Sequence, residues 1–364
     1  MDALPDDALL AVLHHLADRD LVRCRRVCRR LRDLVGHPEL WRDRDITSGV
    51  LLMSPPPPRC RRLVLTGWGQ LPVLTAAAAR TTSCAAAGVS VLVDEHPLVA
   101  VGIIRRQVEL GRLSELAIAF SPSGLLDGAF HGGLPGSLPL GDSYLLKFAL
   151  QIRGLRELHI GYSSTYSFTI GWKCPVPPSL KKLAYGGDNA VLLKALLRAH
   201  TATLEEVWLD HRGSWGDEVV DLLASIAHPW ELQCPFVPGL DKLAKCRSLT
   251  SLRLTAQDRV NPPYIADAKK FLRLSSISRF YVKGMGEMVV DLVKTLGETG
   301  SPKLTRVEVD LLAEIEISRV VADVINQMPV YSAQKTEVLK HCDYLPSLKE
   351  LIIGGERVLL TPRD

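Results

Sequence analysis

The chain has 364 residues, 47% hydrophobic and 23% charged, with a net charge of only +4. That length exceeds one small core and calls for an extended architecture or two domains, and so small a charge excludes a global field that would recruit nucleic acid. No basic leader opens the chain, no run of about 18 apolar residues could cross a bilayer, and the scattered cysteines form no disulfide framework. The expected compartment is the reducing cytosol or nucleus.

The first elements are helical. Asp6 and Asp7 put negative charge at a helix start, and Leu9, Val12, Leu13 and Leu16 follow at spacings of three and four, giving one apolar face. Asp18 or Asp20 can cap a second short helix that carries Leu21. A third is expected through Val27, Leu31, Leu34 and Val35, stopped by Gly36 with Pro38 just beyond. The run RCRRVCRRLR (23–32) lies on it, and the arginines at 25, 26, 29, 30 and 32 occupy positions left free by the apolar residues. They read as a solvated face; a nucleic-acid or nuclear-import role is the alternative for such a block. Cys24 and Cys28, with His14 and His15 nearby, match no zinc-ligand spacing, so no metal is expected. These short helices carry more apolar residues than so small a core can use, which points to a module that docks on a partner.

The order Leu4-Pro5, Asp7, Leu9, Val12, Leu16, Asp20-Leu21, Val27-Cys28, Leu34 and Leu40-Trp41 resembles an F-box over residues 4–41. That family usually has Trp where this chain has Leu31, and a small residue where it has Arg25. The resemblance implies a three-helix domain, residues 1–46, that docks on the adaptor of a Skp–cullin–F-box (SCF) ubiquitin ligase. The implied docking surface includes Leu4, Pro5, Leu9, Val12, Leu13, Leu16 and Leu21. Through a Skp-type adaptor it would reach the cullin and its RING protein.

Residues 47–59 read as a proline-rich linker, with the stiff tract Pro55 to Pro58 inside it. Beyond it, residues 60–364 keep returning to L-x-x-L-x-L: LSELAI (113–118), LRELHI (155–160), LKKLAY (180–185), LEEVWL (204–209), LTSLRL (249–254), ISRFYV (277–282), LTRVEV (304–309) and LKELII (348–353). CRRLVL (60–65), GVSVLV (88–93), PGSLPL (135–140) and PWELQC (229–234) are weaker copies, and the spacing runs from 20 to 28 residues until a last interval of 44. Helical returns are expected at 190–200, 217–228, 288–297 and 317–328. The period and signature resemble leucine-rich repeats, which implies an α/β fold: an irregular solenoid with one parallel strand and one helix per repeat. The usual Asn or Cys after the strand is missing from every copy, so the backbone groups at those turns must find other partners.

Alternation within each copy turns the leucines inward and sets the intervening residues on the open sheet face. The candidates there for binding a protein substrate are His159, Trp208, Asp210, Arg253, Tyr281, Lys283, Glu308 and Asp310, with Glu206, Arg279, Arg306 and Glu350 beside them. Trp208 and Tyr281 are natural anchors, and the mixed signs favour a folded protein over a polyanion. The glycine-rich stretch 121–143 reads as a long loop or a degraded repeat. Dinucleotide, Walker, nucleophile-elbow and metalloprotease signatures are absent, so no catalytic residue and no cofactor is expected. The combination resembles F-box proteins with leucine-rich repeats, the substrate-recognition subunits of SCF ligases, which mark a protein substrate for ubiquitination and proteasomal degradation. The alternative is a repeat scaffold without ligase coupling.

Overall fold

The structure is a computed structural model. It describes residues 4–47, 57–65, 73–93, 97–120, 140–161, 177–187, 189–210, 217–256, 260–299, 303–312, 329–342, 348–354 and 356–358. The chain divides into two compact units, 1–180 with 187–189, and 181–186 with 190–364.

The first unit opens with α1 (Asp6–His14), α2 (Asp18–Cys24), α3 (Arg29–Val35) and α4 (Pro38–Trp41). The third helix ends at Gly36 as expected, but four helices, not three, occupy the segment, because Pro38 starts a fourth. It sits in the first turn, where its missing N–H costs nothing, and His37 Nδ1 accepts the Glu39 N–H at 3.4 Å. Helix α3 begins later than expected: Cys28 caps it, its Sγ accepting the Leu31 N–H at 3.5 Å, so Val27 lies in the preceding turn and is 61% exposed. Leu9, Leu13, Leu21, Leu31, Leu34, Val35, Leu40 and Trp41 form the core. The Trp41 indole N–H donates to the Val35 carbonyl at 2.6 Å, which removes the cost of burying it.

These helices run directly into a sheet. Strand β1 (Asp45–Ile46) pairs with β2 (Arg59–Leu65), α4 packs on β2, and Arg59 meets Glu39 at 2.8 Å. The compact unit therefore does not end at residue 46. It continues through α5 (Val73–Thr81), β3 (Ala85–Val93), α6 (Pro97–Glu109), β4 (Glu115–Phe120), α7 (Leu140–Ala149) and β5 (Glu157–Gly161). Strands β1 to β5 pair in chain order, all parallel. Gln107 on α6 stitches helix to sheet: its Oε1 accepts the Ala86 N–H at 2.8 Å and its Nε2 donates to the Cys84 carbonyl at 3.0 Å, all of it buried.

The second unit alternates β6 (Lys182–Gly186), α8 (Ala190–His200), β7 (Glu206–Leu209), α9 (Asp217–Ala224), β8 (Trp230–Pro235), a 3-10 turn (Leu240–Lys245), β9 (Leu249–Thr255), α10 (Pro262–Leu274), β10 (Arg279–Met285), α11 (Gly286–Thr299), β11 (Arg306–Leu312), α12 (Pro329–Cys342) and β12 (Glu350–Ile353). Strands β6 to β12 again pair parallel in chain order. A last strand, β13 (Glu356–Val358), turns back antiparallel on β12. The register aligns Leu183, Val207, Leu232, Leu252, Phe280, Val307 and Leu351 in one buried row beneath the helices. Each such side chain contributes about 1.5–3 kcal/mol by leaving water. Every L-x-x-L-x-L copy coincides with a strand except PGSLPL, which lies outside the described residues apart from Leu140 at the start of α7. The helix expected at 317–328 also lies outside them, as does the loop expected at 121–143 up to residue 139; residues 140–143 belong to α7 instead.

Two devices stand in for the missing asparagines. At the strand ends the parallel ladder runs one residue further: Asp210 N–H to Tyr185 O at 2.9 Å, Ala256 N–H to Lys283 O at 2.8 Å and Gly354 N–H to Val309 O at 2.8 Å. At the strand starts, hydroxyls next to the first leucine position reach the preceding strand: Ser278 Oγ to Thr250 O and Thr305 Oγ1 to Ser278 O, both at 3.0 Å.

Candidate functional site

Two surfaces stand out. The first is on the helical module. Of the seven residues expected to dock a partner, Leu4 and Val12 are 48% and 57% exposed, Pro5 is exposed and Leu16 half-buried. Leu9, Leu13 and Leu21 are buried inside the module. These three belong to the module's core with Leu31, Leu34, Val35, Leu40 and Trp41, while Leu4, Pro5 and Val12 face out. Sequence periodicity groups all seven on one face and cannot divide them. It also misses a groove of about 400 Å³ lined by Leu10, Ala11, His14, His15, Glu39 and Leu40, which continues this face beside α4.

The arginine run takes several roles. Arg30 bonds the Leu4 carbonyl and pairs with Asp6 at 2.7 Å, tying the start of α1 to α3. Arg25 is not on a solvated face: it is 9% exposed, and burial lowers its pKa. Its aliphatic stem sits among helices where only length and packing, not charge pattern, decide the position. Arg26, Arg29 and Arg32 are exposed as expected.

A second arginine, outside the run, organises the module. Arg44 donates to the Leu16 carbonyl at 2.8 Å, to Leu13 at 3.1 Å and to His14, carbonyls in and just after the last turn of α1, where helical acceptors run short of donors. It also pairs with half-buried Asp18 at 3.5 Å and lies 5.9 Å from the centre of the Trp41 ring. Burial raises the Asp18 pKa, and Arg44 opposes the rise. A cation at a helix C-terminus is readable from sequence only when it belongs to that helix; Arg44 comes from beyond three others.

The second surface is the sheet face opposite the helices. His159 is in the first unit, half-buried and 4.0 Å from Glu157. The other seven candidates are in the second unit. Trp208, Arg253, Tyr281 and Glu308 share one register row with Gln233, and Lys283 with Asp310 lie in the next. Asp210 is exposed just past β7. Trp208 and Tyr281 are half-buried, each under a cation from a neighbouring strand: Lys182 Nζ is 3.9 Å from the Trp208 ring centre, and Arg253 is 4.5 Å from that of Tyr281. The Tyr281 hydroxyl donates to Asp310 at 3.4 Å, and its pKa is pushed up to about 12 by burial, with Asp310 adding to the effect.

Other charges pair across strands, Lys182 with Glu206 at 3.0 Å, Lys283 with Asp310 at 3.0 Å and Arg306 with Glu350 at 3.2 Å, and Arg306 also meets Glu308 of its own strand at 3.2 Å. Two pairs reach over a whole strand. Arg279 meets Glu231 across Ser251, and Arg62 meets Glu115 at 2.5 Å across Gly88. A Cβ at Gly88 would come within 3.1 Å of both partners, so a small residue beneath the pair is what lets it close.

Comparison with known proteins bears on the first surface alone. Residues 1–47 match the F-box-like family. Over 42 residues the chain is 52% identical to human F-box only protein 17. That similarity covers 11% of this chain and 15% of the length of the human protein. The chain thus carries an F-box-like domain, followed by a mixed α/β part rich in parallel strands. Among the described residues no helix is long and apolar enough to cross a membrane, and no cluster of His, Cys, Asp or Glu could hold a metal ion.

Proposed function

We propose that this chain is the substrate-recognition subunit of an SCF-type ubiquitin ligase. The F-box-like helices dock a Skp-type adaptor, and through it the cullin and RING protein. The repeated strands and helices form a leucine-rich-repeat solenoid whose open sheet face holds a protein substrate for ubiquitination. The observation that carries the reading is Leu4 and Val12, exposed at 48% and 57% on a module that matches the F-box-like family over residues 1–47. Large apolar side chains grouped on so small a module need a covering partner. Leu9, Leu13 and Leu21 support that face from beneath.

The test is co-purification with a Skp-type adaptor of the wild type and of a Leu4→Asp, Val12→Asp double variant. Both positions are exposed, so the variant keeps its core, whereas charges at Leu9 or Leu13 would unfold it. Adaptor and cullin retained by wild type and lost by a folded variant support the proposal. Adaptor binding without cullin recruitment would instead mean a scaffold, and no adaptor binding by wild type would remove the ligase reading altogether.

A further inference from the structure

On the open strand face of the second unit, most charges among the described residues sit in neighbouring ion pairs. Arg253 is exposed, lies over the Tyr281 ring, and has no ion pair among the described residues. The charges diagonal to it are already matched, Glu231 by Arg279 and Lys283 by Asp310. A guanidinium stacked on a ring is held flat, and its in-plane N–H donors remain available for a two-point bond to an oxyanion. Ser251 and Thr255 flank it on β9, and Gln233 lies beside it on β8, all half-buried. This surrounding has polar groups for one anion and a single unbalanced positive charge to receive it.

We infer that this face receives an extended segment of a partner protein through one carboxylate side chain held by Arg253, with an apolar side chain of the same segment against Trp208. The inference rests on the reading of this face as the substrate surface. A monoanion fits better than a doubly charged phosphoryl group, because Glu231 lies diagonal to Arg253, Glu308 and Asp310 lie one strand beyond Tyr281, and Arg253 alone supplies positive charge without an ion pair among the described residues. Trp208 is two strands from Arg253 in the same register row, about 10 Å at the usual strand spacing. A polyproline II segment rises about 9 Å in three residues and brings side chains i and i+3 to the same side. The expected ligand is therefore an extended peptide with Asp or Glu three residues from a large apolar residue.

The test is selection from a random-peptide display library on the full-length chain, for wild type and for Arg253→Gln and Trp208→Ala. The inference expects wild type to enrich Asp or Glu at a fixed spacing from an apolar residue. Arg253→Gln should lose the acidic preference, keep the apolar one, and weaken a selected peptide about 10-fold or more. Trp208→Ala should do the reverse. No acidic preference in wild type, or the same preference in Arg253→Gln, overturns it, as does a phosphoserine peptide that binds 10-fold more tightly than its Asp counterpart. Adaptor co-purification is run on the same preparations. Adaptor binding without acidic selection refutes this inference and leaves the ligase reading standing, whereas failure of adaptor binding alone counts against that reading and not against the peptide site.

Discussion

Replacing Arg44 with alanine should loosen the F-box-like helices and leave the second unit untouched. The side chain bonds three carbonyls at the end of α1 and pairs with Asp18, with only 13% of its surface exposed. A hydrogen bond to a charged group is worth about 1.5–3 kcal/mol net, and a cation at a helix C-terminus adds up to about 1 kcal/mol more. These contributions do not sum, because water reaches some of the freed carbonyls. A loss of about 3 kcal/mol is the working figure, or roughly a 100-fold rise in local opening. Deuterium exchange read by mass spectrometry on peptides within residues 6–41 measures that opening directly. Arg44→Lys keeps the charge but not the fork, and should fall between the two. The reasoning fails if protection in α1 to α4 is unchanged in Arg44→Ala, or if β6 to β12 lose it equally.

Gln107→Leu should cost about 3 kcal/mol in urea unfolding, since it strands the buried Ala86 N–H and Cys84 C=O; a change under about 0.5 kcal/mol would mean that water replaces the amide. His200 is buried and its pKa lowered to about 4 by burial, below its ordinary value near 6.5. The unfolded chain therefore takes up this proton first as pH falls, so stability present above about 6.5 is lost toward 4. The loss is about 2 kcal/mol between pH 7.5 and 5. His200→Gln should flatten that part of the pH profile, and an identical slope in the variant would refute the assignment. Gly88→Ala should part Arg62 from Glu115 yet cost under about 1 kcal/mol, because the pair is partly exposed; a larger loss would show that the pair is not the main effect.

The strands were legible because the L-x-x-L-x-L positions report burial locally, and the residues between them alternate with the buried ones along each strand. What those residues do there was not legible. Lys182 meets Trp208 only because the parallel register sets it diagonally beside that ring on the next strand, and Arg253 meets Tyr281 because the register sets the two directly side by side. An aromatic that reads as a bare anchor in sequence is thus already half-covered by a cation. The helical module shows the converse limit. Its apolar positions were readable, but Leu9 and Val12 look alike by periodicity, and only the packing of α3 and α4 separates the buried one from the exposed one. Arg25 was misread for the same reason, since a charge pattern carries no information about which arginine stem lies under a neighbouring helix.

Register also explains how the sheet face can be so charged without being repulsive. Strands stacked parallel in register bring the same motif position of each copy into one row about 4.8 Å apart, whatever the length of the connections. The row Lys182, Glu206, Glu231, Ser251, Arg279, Arg306 and Glu350 would therefore set like charges side by side at two places, Glu206 with Glu231 and Arg279 with Arg306. Both are relieved by pairs that reach away from the like neighbour: Glu206 to Lys182, Glu231 to Arg279, and Arg306 to Glu350. The small Ser251 allows the longest of these, as Gly88 does in the first unit. A face balanced this closely offers little to a polyanion. Under the inference drawn above, specificity rests on the position where pairing stops, which is Arg253.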